Sequence, residues 1–330
     1  MARAAITGAS GLLGGNLAAE LVAAGHEVTA TRRAGSKIAH LADLPIAWRD
    51  ADLGSVDALA AAFAGADVVF HCAAAVTVQR KVTPEMTDAN VTGTEHVIAA
   101  CAAAHVPRLV HTSSVVAVGL SRDGRPCDET AEWNFDREGL LDAYAITKHQ
   151  AELAVLAAGD RIDAVIVNPT YMFGPRDARV SSGKLVLDVA RRKVPGWTPG
   201  YNNFVDVRDV ARGMIAAWQR GRRGERYILA GHDLTYRDVM IEIARAAGVP
   251  PPRFRAPRAA AWLLGKWGDF VESRGREPLL NSTQVRYAYT DKFRFASTKA
   301  ARELGYTFGS LEPAIRDALA WFRAHGMLDT

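Results

Sequence analysis

Apolar residues in the first half of the chain fall into short continuous runs, separated by longer stretches where they recur at helical spacing. Residues 4–6 and 27–31 read as strands on either side of a helix over about 12–24, which Gly25-His26 ends. A weaker strand falls at 45–49, and a helix over 55–63 has Ser55 in capping position. The run DVVFH at 67–71 reads as a fully buried strand, and RLVHT at 108–112 and DAVIV at 163–167 are of the same kind. Helical stretches fill 87–104 and about 141–156. Strands alternating with helices imply right-handed crossovers and a parallel sheet covered on both faces.

After Pro169 the pattern changes. Short pieces with Gly/Pro punctuation and basic residues run through 183–203, followed by a helix over 207–219 and a strand over 225–229. From 234 onward the spacing is mostly helical, interrupted by Val-Pro-Pro-Pro at 249–252. The expected fold class is α/β: a doubly wound parallel sheet with a smaller, mainly helical C-terminal domain. Residues 1–168 with 204–230 form the first domain, and 169–203 with 231–330 the second, with a ligand cleft between them.

Composition removes other classes. The 330 residues are 49% hydrophobic and 23% charged, which excludes a disordered or collagen-like chain. A net charge of +4 is too small to imply a nucleic-acid partner. No window approaches the roughly 18 apolar residues of a membrane span. Cys72, Cys101 and Cys127 are scattered and odd in number, against a disulfide framework. The start runs directly into a strand, so no leader is expected and the expected location is cytoplasmic. No spacing suggests a metal site: Cys101 and His105 alone do not make one.

Thr7-Gly8-Ala9-Ser10-Gly11-Leu12-Leu13-Gly14 joins the first strand to the first helix. Glycines three apart permit a tight turn, close approach of backbone N–H groups to a pyrophosphate, and helix packing on the strand. This places Gly8, Ser10, Gly11, Leu12, Leu13 and Gly14 at a dinucleotide and makes the sheet Rossmann-type. An NAD site normally carries a carboxylate about 20 residues later, on the ribose 2′-hydroxyl. Here the second strand ends in Arg32-Arg33, with no acid until Asp43. Guanidinium groups pair with a 2′-phosphate, so NADP(H) is expected ahead of NAD(H).

Tyr144 and Lys148 lie four apart in a helix and share one face. A free phenol has a pKa of about 10, and a neighbouring ammonium lowers it, suiting the group to proton exchange with a carbonyl oxygen as hydride moves. His111-Thr112-Ser113-Ser114 ends a parallel strand, where ligands gather in open α/β sheets. A serine hydroxyl there is placed to hold a substrate oxygen against the tyrosine.

These residues give the chain its resemblance to the extended short-chain dehydrogenases/reductases (the NAD-dependent epimerase/dehydratase superfamily). It is most similar to the dihydroflavonol-reductase, 3β-hydroxysteroid-dehydrogenase and hopanoid-associated epimerase-like members. Further markers are Asp52-Leu53, His71–Ala75, Asn90–Thr94, the stretch from Thr112 to Gly119, Asn168–Pro175 and Phe204–Ala211. The resemblance implies Tyr144 as acid/base and Lys148 on the nicotinamide ribose. It also implies Ser114, five residues before Gly119, as the active serine ahead of Ser113. Asn90 would support the lysine and a water relay from the helix behind. Asp52 would meet adenine with Leu53 beside it, and Ala73, Ala74 and Ala75 would line the nicotinamide-side ribose. Thr112 would touch the cofactor, and Pro169 and Thr170 would pack by the carboxamide. A homodimer through the helices at 87–104 and 141–156 is implied as well.

The stretch Gly200-Tyr201-Asn202-Asn203 lacks the arginine that relatives acting on nucleotide sugars place there, and none is apparent around 289–293. Tyr171, Met172 and Trp197, with Ser114, instead suit a small apolar or aromatic carbonyl substrate. The reading is an NADP(H)-dependent carbonyl reductase or alcohol dehydrogenase, with an epimerase or dehydratase holding its cofactor tightly as alternative. A non-catalytic sensor has no need of the Ser–Tyr–Lys set. Leu263, Trp267 and Phe270 recur at helical spacing and read as a core face ahead of a lid. The basic residues between Arg253 and Arg276 read as a solvated face ahead of an anionic-ligand or membrane surface.

Overall fold

The computed structural model describes residues 1–329 other than 78, 277 and 279. Strand β1 (Arg3–Thr7) turns into α1 (Leu12–Ala23), followed by β2 (Glu27–Arg32), β3 (Ile46–Asp50), α2 (Val56–Phe63) and β4 (Val68–His71). A short helix α3 (Pro84–Thr87), a π-helical stretch (Asp88–Thr92) and α4 (Gly93–Ala103) lead to β5 (Leu109–Thr112), α5 (Ala143–Ala157) and β6 (Ala164–Pro169). Next come β7 (Tyr171–Phe173), α6 (Lys184–Ala190), β8 (Gly196–Trp197), β9 (Tyr201–Asp206), α7 (Val207–Arg220) and β10 (Arg226–Leu229). The chain ends with β11 (His232–Thr235), α8 (Tyr236–Ala247), β12 (Phe254–Arg255), α9 (Arg258–Ser273), α10 (Ser282–Tyr289), α11 (Thr298–Leu304) and α12 (Glu312–Ala324).

Seven strands form one parallel sheet in the order β10-β6-β5-β4-β1-β2-β3. Every residue of β4 and β6 is buried, as continuous apolar runs require when helices cover both faces. On one face α1 and α7 pack through Leu17, Leu21, Val210 and Met214. On the other, α2, α4 and α5 contribute Leu59, Phe63, Val97, Ile98 and Val155. Strand order reverses between β1 and β4, and the crevice beyond their carboxyl ends is where open α/β sheets bind ligands.

Two departures from the sequence reading have physical causes. The helix expected over 87–104 begins at Pro84 and widens into a π turn around Asn90. Asn90 uses that widened turn to bracket Ala75: Ala75 N–H donates to its Oδ1 (2.7 Å) and its Nδ2 donates to the Ala75 carbonyl (2.9 Å). The region 183–203 contains α6 and β8, and β11-β9-β7 form a second sheet while β12 pairs with β8. Strands of two to six residues are too short to display alternation. This portion packs around Phe173, Phe204, Ile243 and Phe322 and is otherwise helical.

His71 and His111 are register partners on β4 and β5, both completely buried, their rings 5.4 Å apart. Thr7 and Thr94 hydroxyls hydrogen-bond the His71 ring at 2.7 and 3.1 Å; no group among the described residues bonds either nitrogen of His111. Burial, reinforced by nearby Lys148, pushes His71 down to about 3 and His111 well below its ordinary value. Both rings are therefore neutral in the folded protein and take up protons on unfolding below pH 6.5. Each confers stability that is complete above pH 6.5 and is lost as pH falls toward the folded value, by about 1.4 kcal/mol per unit. The His111→Leu variant should lose less melting temperature than the parent between pH 7 and pH 4; parallel pH profiles would show that His111 is not held neutral.

Candidate active site

Two glycine positions at the turn after β1 have no room for a side chain. Gly8 has φ +76°, and a Cβ there would lie 2.5 Å from the Ala73 nitrogen; one on Gly14 would lie 2.4 Å from the Gly8 carbonyl oxygen. These contacts bring the turn, the end of β4 and α1 within backbone distance of one another. No side chain caps α1, and its first turn holds no acid. Its leading N–H groups therefore face the crevice with the positive end of the helix dipole.

Beside this turn lies a cleft of about 670 Å³, lined by Ser10, Arg33, Lys37, His40, Arg179 and Trp321, among others. Arg33 and Lys37 follow β2, whereas Arg179 comes from the loop before α6 and donates to Ser10 Oγ at 3.1 Å. Arg32 does not line this cleft. Successive strand side chains point to opposite faces, and Arg32 Nε instead pairs with Asp50 Oδ1 at 2.8 Å on the neighbouring strand. Asp43, the first acid after β2, is held by the Arg176 guanidinium, which lowers its pKa. Asp52 Oδ1 accepts from the Gly54 N–H at 2.9 Å, and Leu53 gives its carbonyl to the His96 ring at 2.7 Å.

The second cluster stands on α5 against the carboxyl ends of β5 and β6. Asp142 caps the helix, accepting from Ala145 N–H at 2.7 Å, while its other oxygen accepts the Tyr287 hydroxyl at 2.7 Å. The Ser114 hydroxyl lies beside the Tyr144 phenol and holds its pKa down, while Ser114 Oγ accepts from the Val116 N–H at 3.4 Å. Lys148, 3% exposed, donates to the Thr112 carbonyl at 2.6 Å. One turn further, Glu152 accepts from Asn168 Nδ2 (2.7 Å) and from Arg226 (3.0 Å), and the same Asn168 amide donates to the Ser114 carbonyl at 2.9 Å. Asn90 reaches Thr147 Oγ1 at 3.0 Å, so its contact is with the residue before the lysine.

The electrostatics reverse one sequence expectation. Burial pushes the Tyr144 phenol up to about 12, with the Ser114 hydroxyl opposing the rise and Asp142 adding to it. Burial also brings the Lys148 ammonium down to about 8, against the pull of Glu152. Lys148 is not among the groups that move the phenol; its ammonium is bonded to the Thr112 carbonyl.

Ser114, Tyr144, Lys148, Thr112 and Asn90 thus converge on one end of the sheet, with Ala73–Ala75 and the glycine turn across the crevice. Ser113 and Thr170 are nearly buried there, each with a hydroxyl that meets no partner among the described residues. The substrate candidates do not converge in the same way. The Tyr171 hydroxyl donates to the Ser182 carbonyl at 3.2 Å, and its ring packs 5.4 Å from Phe173 and from Phe204. Trp197 joins that cluster with the Arg237 guanidinium 5.1 Å from its ring, and Met172 packs on the main core. Sequence reasoning missed Lys37, Arg179 and Asp142. Only Asp142 left a local signal, a capping acid ahead of an alanine-rich helix.

Comparison with known proteins agrees with this geometry. Residues 4–230 match the family described as NAD dependent epimerase/dehydratase. Sterol demethylase protein B of Methylococcus capsulatus is 34% identical over 328 residues, covering 98% of this chain and 99% of the relative. The 4-hydroxy-2-methyl-3-oxo-4-farnesyl-3,4-dihydroquinoline-1-oxide ketoreductase of Stigmatella aurantiaca is 34% identical over 319 residues, covering 92% of this chain and 91% of the relative. Among solved structures, that of gox2253 matches with a TM-score of 0.85 and 33% identity, covering 100% of both chains. The chain belongs to the NAD dependent epimerase/dehydratase family, within the extended short-chain dehydrogenases/reductases.

Proposed function

We propose that the protein is an NADP(H)-dependent carbonyl reductase, or the corresponding alcohol dehydrogenase, acting on an apolar or aromatic ketone or alcohol. The observation that carries this reading is the buried Tyr144 phenol with the Ser114 hydroxyl beside it at the carboxyl end of β5, and Lys148 one turn along the same helix. A dinucleotide fits the residues present. The free N–H groups of α1 would take the diphosphate, and Arg33, Lys37 and Arg179 the 2′-phosphate. Lys148 would take the ribose, and the orphaned Thr170 hydroxyl the carboxamide. When bound, the reduced nicotinamide supplies the hydride. Ser114 would hold the substrate oxygen, and Tyr144, protonated up to about pH 12, would give it the proton. The names of both relatives above refer to bulky apolar molecules, a sterol and a farnesyl quinoline, which supports an apolar substrate. We read the exposed Leu153 and Leu156 on α5 as the contact of a homodimer through α4 and α5.

One observation favours the second reading, an epimerase or dehydratase with bound cofactor and no net redox change. The sequence reading found no arginine for a nucleotide sugar, yet the Arg294 guanidinium lies 3.9 Å from the centre of the Tyr201 ring. Consumption of free NADPH with a panel of ketones separates the two, since the alternative requires protein that carries its nucleotide and uses none.

Tyr144→Phe should retain cofactor binding and lose roughly 10²- to 10⁴-fold in kcat. Near-normal turnover by that variant rules out the phenol as proton donor. NADPH should bind more tightly than NADH, and Arg33→Ala and Arg179→Ala should each weaken NADPH by about tenfold or more while leaving NADH almost unchanged. Equal losses for the two nucleotides would place those arginines elsewhere. The profile of kcat/KM against pH should fall above about 8, as Lys148 loses its charge, and Lys148→Arg should remove that limb at whatever rate remains.

A further inference from the structure

Helix α9 is built inside out. Its apolar side chains point to solvent: Trp262 is 50% exposed, Leu263 64%, Trp267 65% and Phe270 47%. Its inner face is glycine and acid. A Cβ on Gly268 would lie 1.8 Å from the Leu280 carbonyl oxygen, and one on Gly265 would lie 3.0 Å from Val285 on α10. Asp269 accepts from the Ser282 N–H at 2.9 Å and pairs with Arg80 at 3.2 Å, while Glu272 accepts from the Arg80 N–H at 2.8 Å. The helix cannot roll its tryptophans inward, because only glycine fits at the contact and both acids are already engaged. The expectation of a core face is corrected here: the periodicity is real and the face is uncovered.

Charge identifies what covers it. Arg253, Arg255, Arg258, Lys266, Arg274 and Arg276 are all exposed, and two of them lie over exposed rings, Lys266 at Trp262 and Arg274 at Phe270. Between 253 and 276 six basic residues face two acids, an excess equal to the net charge of +4 of the entire chain. An apolar strip with tryptophans, fringed by arginine and lysine, matches the interface of an anionic bilayer, where rings enter the headgroup boundary and cations meet phosphate. No helix among the described residues is long and apolar enough to cross a membrane, so this helix lies on the surface.

We propose that α9 docks the protein onto anionic phospholipid bilayers. Residues 79–80 link this surface to the site: the Arg80 N–H donates to Glu272, and the carbonyl of Gln79 accepts from the N–H of Ala143, the residue before Tyr144. On the reductase reading, an apolar substrate dissolved in lipid enters beside the catalytic helix. Docking itself does not depend on that reading, because it is measured without turnover.

The test is co-sedimentation of the full chain with vesicles of phosphatidylcholine alone and with about 30% phosphatidylglycerol, each with and without 0.5 M salt, together with analytical ultracentrifugation without lipid. The expected result is binding to the anionic vesicles that weakens in salt. The triple variant Trp262→Ser, Trp267→Ser, Phe270→Ser should bind at least about tenfold less at an unchanged melting temperature. Arg258→Gln combined with Lys266→Gln and Arg274→Gln should lose the salt-sensitive part. Absence of binding by the parent protein, or binding that the triple variant retains, overturns the proposal. So does dissociation of a self-associated species by the triple variant when the parent ignores vesicles; the face is then an interface between copies of the chain.

Discussion

Tyr144, Lys148 and Glu152 repeat every four residues along α5, so a single helix face presents a phenol, an amine and a carboxylate to the end of the sheet. Burying the last two without partners would cost several kcal/mol each. The partners are all present: the Thr112 carbonyl for Lys148, and Asn168 with Arg226 for Glu152. A shift of α5 by one residue along its axis or a modest roll would strand both charges. The phenol is therefore placed by groups that need take no part in chemistry. Asn168 extends the constraint to the other half of the site, since the amide that satisfies Glu152 also holds the Ser114 carbonyl.

The same burial determines which proton states the site can hold. Removing water disfavours charge, so it raises an acid and lowers a base, and the phenol and ammonium move in opposite directions. A sequence shows a lysine one turn from a tyrosine and invites the inference that the cation acidifies the phenol. That inference omits desolvation, which is the first cause for both groups here. A phenol kept protonated suits delivery of a proton, the direction in which a ketone becomes an alcohol. The reverse direction demands additional positive charge near the phenol, and a water-poor crevice makes any such charge more effective.

The parallel sheet was legible because its central strands are short, mostly apolar runs while the stretches between them recur at helical spacing, so period and length separate them without tertiary information. The glycine turn was legible because part of its steric limit is local: the close approach of Gly14 to the Gly8 carbonyl oxygen leaves no space for a side chain. The basic cleft was read only in part. Arg33 stands at the end of a recognisable strand, while Arg179 arrives from a loop more than a hundred residues away, with no local pattern to announce its contact with Ser10. Arg32 shows the converse case: it stands at the strand's end as read, and its side chain pairs with Asp50 on the neighbouring strand. The π turn at Asn90 was hidden as well, because side-chain spacing alone does not separate the two hydrogen-bonding patterns and Ala75, which Asn90 brackets, lies outside the helix.

Helix α9 exposes the boundary of periodicity as evidence. An apolar stripe states that one side of a helix differs from the other, and it says nothing about which side meets protein. That decision belongs to the residues with the least side chain. Gly268 permits an approach that no alanine would tolerate and Gly265 packs tightly beside it, so that once they are seated the tryptophans point outward. Helix α1 is the contrast: its large residues Leu17 and Leu21 lie in the core together with Ala18. In α9 the small residues serve the interior and the large ones the exterior. Six exposed cations stand around that exterior, while the two acids of the segment are turned inward and engaged. Water solvates such cations well and the rings poorly; an anionic apolar boundary satisfies both, which is why charge and hydrophobicity here lead to the same partner.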